Sequence, residues 1–218
     1  MRIAEILNEG GAAIKGSSPV SPAEFKQVMA KLHKLLPTLN FHPFGSAGLK
    51  PLSGDVDVMV EVDDTTEHFD AKDVKAAKDA MMNYFKSKGL ESNKSGVSVH
   101  VGVPVGDKIA QVDIMFVNNA EQIAKLHRHD YSEDPQLKGS AVAPMIADLV
   151  KATDPDYKMS PWKGVVSRET GELITADKDE IARIVFGPEF TANDLRNPPA
   201  ILAAAKKAGK EWVFDESN

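Results

Sequence analysis

Cysteine is absent from all 218 residues, which removes disulfide staples, thiolate metal sites and a cysteine nucleophile together. Chemistry must come from oxygen and nitrogen groups. Long apolar runs are missing as well. None approaches the ~20 residues needed to span a bilayer, and the opening stretch MRIAEILNEGGAAIKG has neither a continuous apolar centre nor a small-residue cleavage site. The expectation is a soluble, cytoplasmic protein with no membrane partner. Basic charge is not in excess either. Lys and Arg total 26 against 32 Asp and Glu, a formal net charge of -6. Proteins that coat nucleic acid rely on cations to release phosphate counterions, so any polynucleotide contact here should be local. Several motifs are missing too. Gly45-Ser46-Ala47-Gly48-Leu49-Lys50 lacks the Gly-Lys-Ser/Thr ending of a P-loop, and neither a Gly-x-Ser-x-Gly elbow nor a His-Glu-x-x-His zinc motif occurs. Internal repeats and low-complexity segments are also absent.

What is present suits a packed core. Hydrophobic residues make up 42% of the chain, enough for one compact domain and a smaller appended part. A short helix is expected over Met1–Ile14. Ser21-Pro22-Ala23-Glu24 combines a capping serine, a proline at the first helical position and a glutamate three residues after the cap, which predicts a helix to about Leu36. Residues 41–44 read as a brief strand, 45–54 as a Gly- and Ser-rich loop, and 55–62 as a strand of alternating polar and apolar residues. The spacing of Val74, Ala77, Met81, Met82 and Phe85 predicts a helix over 71–88 that ends at Gly89. Strands over 96–103 and 108–117, joined at Gly106-Asp107, suit a hairpin. Helices are expected from Asn118 or Asn119 to His127 and over 139–153, a small hairpin within 162–175, and helices over 178–186 and 191–208. This order predicts an α+β chain with a small, mixed, largely antiparallel sheet backed by helices. The shift toward proline and polar residues near Asp154 divides it into a core over 1–153 and a hairpin-plus-helix extension over 154–218.

The informative stretch is FGSAGLKPLSGDVDVMVEV, from Phe44 to Val62. Side chains two apart on a strand share a face, so Asp55 and Asp57 point one way with Met59 and Glu61, while Val56, Val58, Val60 and Val62 line the other. Adjacent carboxylates repel and aspartate is disfavoured in strands. A bound Mg2+, which prefers oxygen ligands, reverses the sign of that repulsion. A pair spaced Asp-x-Asp can bridge two ions ~3.5–4 Å apart. A third acid, Asp113, lies in IAQVDIMFV, where Gln111, Asp113 and Met115 alternate with Val112, Ile114 and Phe116. If that strand lies beside 55–62 the three acids converge; if not, Asp113 decorates a solvated sheet face.

The order of Gly45-Ser46, a short loop, Asp55-Val56-Asp57 on a strand and a later strand bearing Asp113 resembles the DNA polymerase beta-like nucleotidyltransferase superfamily. The likeness is to its small stand-alone members, phage-encoded ones included, more than to template-copying polymerases, whose basic helix-hairpin-helix modules have no counterpart here. The resemblance covers residues 41–117. It implies an enzyme that binds two Mg2+ (or Mn2+) ions and a nucleoside triphosphate, ATP among the donors. Such an enzyme transfers the nucleoside monophosphate to an acceptor hydroxyl, on an RNA or DNA end, a protein or a small molecule, and releases pyrophosphate. Asp55 and Asp57 would hold both ions. Asp113 would hold the one that activates the acceptor and help deprotonate it. Gly45 and Ser46 would grip the triphosphate, with Lys50, Lys138 and Ser140 as further nucleotide contacts. A solvated loop lysine explains Lys50 as well, and an ordinary helix start explains Lys138-Gly139-Ser140. The nucleotide would sit between the sheet and the region after Asp130. His127, Arg128 and His129 read as a solvated helix end, Asp148 as a wet-face residue, and Trp162 and Phe190 as packing residues. The rival reading is a non-catalytic module that keeps this fold as a binding or assembly scaffold.

Overall fold

A computed structural model describes residues 13–132 and 139–214. The chain divides into two compact units, Met1–Ala124 and Lys125–Asn218, a division earlier in the chain than the change of composition near Asp154. The architecture is α+β, with a mixed five-stranded sheet in the first unit and a three-stranded antiparallel sheet in the second. No helix among the described residues is long and apolar enough to cross a membrane. The helix predicted over Met1–Ile14 lies outside the described residues but for its last two, which are not helical.

Helix α1, Pro22–Leu35, starts as its sequence dictates. Ser21 Oγ accepts from the Glu24 amide, and the Glu24 carboxylate accepts from the Ser21 amide. Strand β1 is His42–Phe44, and β2, Val56–Glu61, follows the loop. A helix, α2, Val62–His68, begins where the strand was expected to end. Its sequence VDDTTEH has no apolar stripe to announce it, and the Thr65 hydroxyl donates to the Glu61 carbonyl to hold the junction. Helix α3 runs Val74–Ser87, three residues later than the spacing suggests, because Asp73 caps it by accepting from the Ala76 amide. Then come β3, Ser92–Ser95, β4, Ser98–Val105, β5, Lys108–Val117, and the short helix α4, Ala120–Leu126. The polar edge strand β3 carries no hydrophobic signal, and its turn at Gly96 starts β4 two residues later than predicted.

The sheet order is β1-β2-β5-β4-β3. Only β2 and β5 are parallel. A parallel pair needs a long crossover, and everything from α2 to β4 supplies it. One sheet face builds the core. Val58, Val101 and Ile114 from three strands pack with Leu32 of α1 and with Met81 and Phe85 of α3, all fully buried. Each such side chain contributes on the order of 1.5–3 kcal/mol. The opposite face carries the acids.

In the second unit, a 3-10 turn at Gly139–Ala141 leads into α5, Val142–Thr153. Strands β6, Tyr157–Ser160, β7, Gly164–Ser167, and β8, Leu173–Thr175, form the small sheet. Helix α6 spans Lys178–Phe186 as predicted, capped by Asp177. The single helix expected over 191–208 is broken. A 3-10 turn, Ala192–Leu195, carries the Thr191–Asp194 capping box, and α7, Pro198–Lys207, starts afresh from Asn197. Proline forces the residue before it out of the helical region, and Asn197 is extended at φ -159°, ψ 167°.

Candidate active site

Strand pairing brings the acids together. In the parallel register Asp57 stands opposite Asp113, and Asp55 shares the face two residues earlier. One carboxylate oxygen from each of the three lies within 4.8 Å of the others. Burial, with the negative charge of Asp113 adding to it, raises Asp55 from 3.8 to about 6. Burial followed by the charges of Asp55 and Asp113 pushes Asp57 well above the ordinary carboxylate range. Among the described residues no lysine or arginine forms an ion pair with any of the three. Three crowded, partly buried carboxylates with no lysine or arginine paired to them among the described residues fit a divalent cation with oxygen ligands. Glu61, on the same face, is used elsewhere. It accepts from the Asn119 and Ala120 amides at 3.1 and 2.9 Å, at the start of α4.

The acid face is not simply wet, as alternation alone suggested. Met59, Gln111 and His100 on that side are all buried. His100 of β4 stands opposite Asp113, so one row across the sheet reads Phe44, Asp57, Asp113, His100, Asn93. His100 Nδ1 lies 2.7 Å from Asp113 Oδ1, and the Gln111 amide donates to that same oxygen at 2.9 Å. The other end of the ring, Nε2, lies 2.7 Å from Ser95 Oγ. Gln111 Oε1 accepts from the Ala13 and Ile14 amides, both at 2.9 Å. His100 carries no carboxylate to mark it in the sequence, although Ser98, His100 and Gly102 alternate with buried valines just as the acids do.

The loop before β2 is held close to the acids. Gly45 has φ +65°, which favours glycine, and a Cβ there would meet Asp57 Oδ2 at 2.7 Å, so a side chain at this position would have to displace the Asp57 carboxylate. Gly48, at φ +78°, lies against the Phe25 ring of α1, where a Cβ would come within 2.6 Å. The Ser46 hydroxyl donates to Ser53 Oγ at 3.0 Å, and Ser53 bridges to Val20 through both backbone bonds. Lys50 is half-buried at the end of this turn, its amide donating to the Ser46 carbonyl. Gly45 is thus the predicted nucleotide residue that the structure sets directly against the acids.

The remaining candidates belong to the second unit. Lys138 lies outside the described residues, and Ser140 is exposed in the turn before α5. The solvated helix end expected at His127–His129 is instead half-buried at His127 and Arg128 and buried at His129. His129 is 5% exposed, its Nδ1 has no hydrogen-bond partner among the described residues, and burial together with Lys178 and His127 pulls it down to about 3. His127 Nε2 bonds the Pro161 carbonyl at 2.6 Å, and its ring lies 5.8 Å from that of Trp162. Helix α4 stops at Leu126, so these side chains turn into the unit rather than continuing a wet helical face. Asp148 is exposed, and Phe190 is buried against Phe186.

No family model and no curated protein sequence matches the chain. Among solved structures it is similar to Cid1, an RNA terminal uridylyl transferase, with a TM-score of 0.35 and 22% identity over 75% of this chain and 47% of that one. A cytoplasmic RNA terminal U-transferase is matched at TM-score 0.33 and 20% identity over 73% and 49%. The Cid1 poly(U) polymerase with MgGTP bound is matched at 0.34 and 22% over 75% and 50%. The chain spans about half the length of these proteins. A likeness this distant leaves the activity to the chemistry of the site.

Proposed function

We propose that the chain is a metal-dependent nucleotidyltransferase, moving a nucleoside monophosphate from a nucleoside triphosphate to an acceptor hydroxyl. The observation that carries this reading is the placement of Asp57 opposite Asp113 on parallel strands, with Asp55 completing a carboxylate cluster that no lysine or arginine among the described residues pairs with. Asp55, Asp57 and Asp113 would hold two Mg2+ or Mn2+ ions, which when bound offset the charge of the triphosphate and of the developing oxyanions.

The protein's own contribution is positioning and proton transfer. The acceptor oxygen bonds to the α-phosphorus as the bond from that phosphorus to the bridging oxygen breaks, and pyrophosphate leaves with that oxygen. Asp113 receives the acceptor proton. The Gly45-Ser46 turn, which runs against Asp57, is where backbone amides and a hydroxyl would meet phosphate oxygens. Lys50, Lys138 and Ser140 are further proposed contacts to the nucleotide.

The experiment is transfer of label from each of the four α-labelled nucleoside triphosphates, with Mg2+ or Mn2+, into tRNA, DNA ends and cell lysate. Label should appear only with metal and be lost in Asp55→Ala/Asp57→Ala. Absence of transfer, together with absence of metal-dependent nucleotide binding, would leave the scaffold reading in its place.

A further inference from the structure

The reading above assigns no role to His100, yet this is a buried, hydrogen-bonding side chain in direct contact with one of the three acids. We infer that His100 is a positioning residue for the metal site. Together with Gln111 it locks the carboxylate of Asp113 so that one oxygen is held by the protein and the other is kept for a cation. This inference rests on the carboxylate cluster being a metal site.

Three features of the geometry support it. Asp113 Oδ1 is engaged twice, by His100 Nδ1 at 2.7 Å and by the Gln111 amide at 2.9 Å, whereas Asp113 Oδ2 has no protein donor among the described residues. Two donors on one oxygen fix the carboxylate's rotation as a single donor cannot. A carboxylate only accepts, so Nδ1 carries the proton in this contact, and Nε2 faces Ser95 Oγ at 2.7 Å. The imidazole is therefore anchored at both ends. Gln111 is anchored as well, because its carbonyl oxygen accepts from the Ala13 and Ile14 amides and so turns its NH2 toward Asp113.

The strand register gives the array its stiffness. Asp113 and His100 are direct cross-strand partners, and Ser95 and Ser98 close the adjoining β3–β4 pair. Among the described residues, only Asp113 of the three acids has such a support. Asp57 instead faces Gly45, where an added Cβ would meet its carboxylate, and Asp55 immediately precedes β2. Outer groups that orient a metal ligand typically contribute ~10–100-fold in metal affinity or activity.

The test is direct Mn2+ titration of the purified full chain, followed by electron paramagnetic resonance of free Mn2+, for wild type, His100→Leu, His100→Asn and Ser95→Ala, with Asp57→Asn as the reference for a lost site. Asparagine places an NH2 near the position of Nδ1 and cannot reach Ser95. We expect His100→Leu to weaken Mn2+ binding ~10–100-fold and His100→Asn to recover most of it. Ser95→Ala, a change at an exposed position, should weaken binding about fivefold, the equivalent of one hydrogen bond. A role in packing alone would leave leucine at least as good as asparagine. Wild-type affinity in folded His100→Leu, or in Ser95→Ala if the leucine variant does not fold, overturns the positioning role while the metal site stands. Wild type that binds no Mn2+ overturns both.

Discussion

Gly45 shows how narrowly single residues set the site. Its left-handed backbone and the 2.7 Å at which an added Cβ would meet Asp57 Oδ2 are separate demands, and a control separates them. Gly106 has φ +60° with nothing within 4 Å of its added Cβ. Gly106→Ala should therefore cost only backbone strain, about 1 kcal/mol. Gly45→Ala should cost that and displace the Asp57 carboxylate, so Mn2+ affinity should drop at least ~10-fold, while Gly106→Ala binds as wild type. Chemical denaturation and Mn2+ titration of the pair check this. Equal loss in both variants would mean that the contact with Asp57 is immaterial. At this scale Asp55 and Asp57 stood out in the sequence because repulsive carboxylates on one strand face have no structural excuse, whereas Asp113 joined them only on the condition that its strand lay alongside. His100 did not stand out, since one histidine among valines gains meaning only from the acid across the strand.

Elements were legible where a local rule acts alone. The capping box at Ser21 and Glu24 placed α1, and the helix expected over 178–186 is α6, with Asp177 as its cap. Elements without a local signature were missed. Helix α2 lacks an apolar stripe, β3 is polar, and the start of α7 at Pro198 cuts what was expected to be one helix over 191–208. Asn197 makes that last point testable. It is 2% exposed and its side chain accepts from the Ala200 amide at 2.9 Å. Asn197→Ala should destabilise the protein by about 1–2 kcal/mol, measured as a shift in urea midpoint, with Asn197→Asp keeping most of the stability because aspartate caps equally well.

Across the whole molecule, the two units respond to acid with opposite signs. In metal-free protein Asp55 sits at about 6 against 3.8 when unfolded. The folded state thus binds more protons between those values, and stability falls as pH rises through that window. Asp57, displaced in the same direction, extends the window upward. His129 is the reverse case, at about 3 against 6.5. The unfolded state binds more protons there, so stability falls as pH drops below 6.5. Amide exchange at pH 7 and pH 5 in chelator, corrected for intrinsic rates, should show β2 and β5 better protected at pH 5 and the elements around His129 less so. Asp55→Asn/Asp57→Asn should abolish the first response and His129→Leu the second. Divalent metal at pH 7 should raise protection in β2 and β5. Movement of both units in the same direction would contradict these assignments.

By itself the sequence determined which residues could do chemistry and which way each strand turns them. The exclusion of thiol chemistry, the common face of Asp55 and Asp57, and the valine face opposite all follow from composition and a period of two. Tertiary structure alone decided which strands are neighbours. The order β1-β2-β5-β4-β3 and the parallel register of β2 with β5 set Asp57 against Asp113 and Asp113 against His100. Pairing across more than fifty residues is settled by the packing of the whole core, because a slip of one residue would turn every acid on a strand to the other face, and no local pattern encodes that choice.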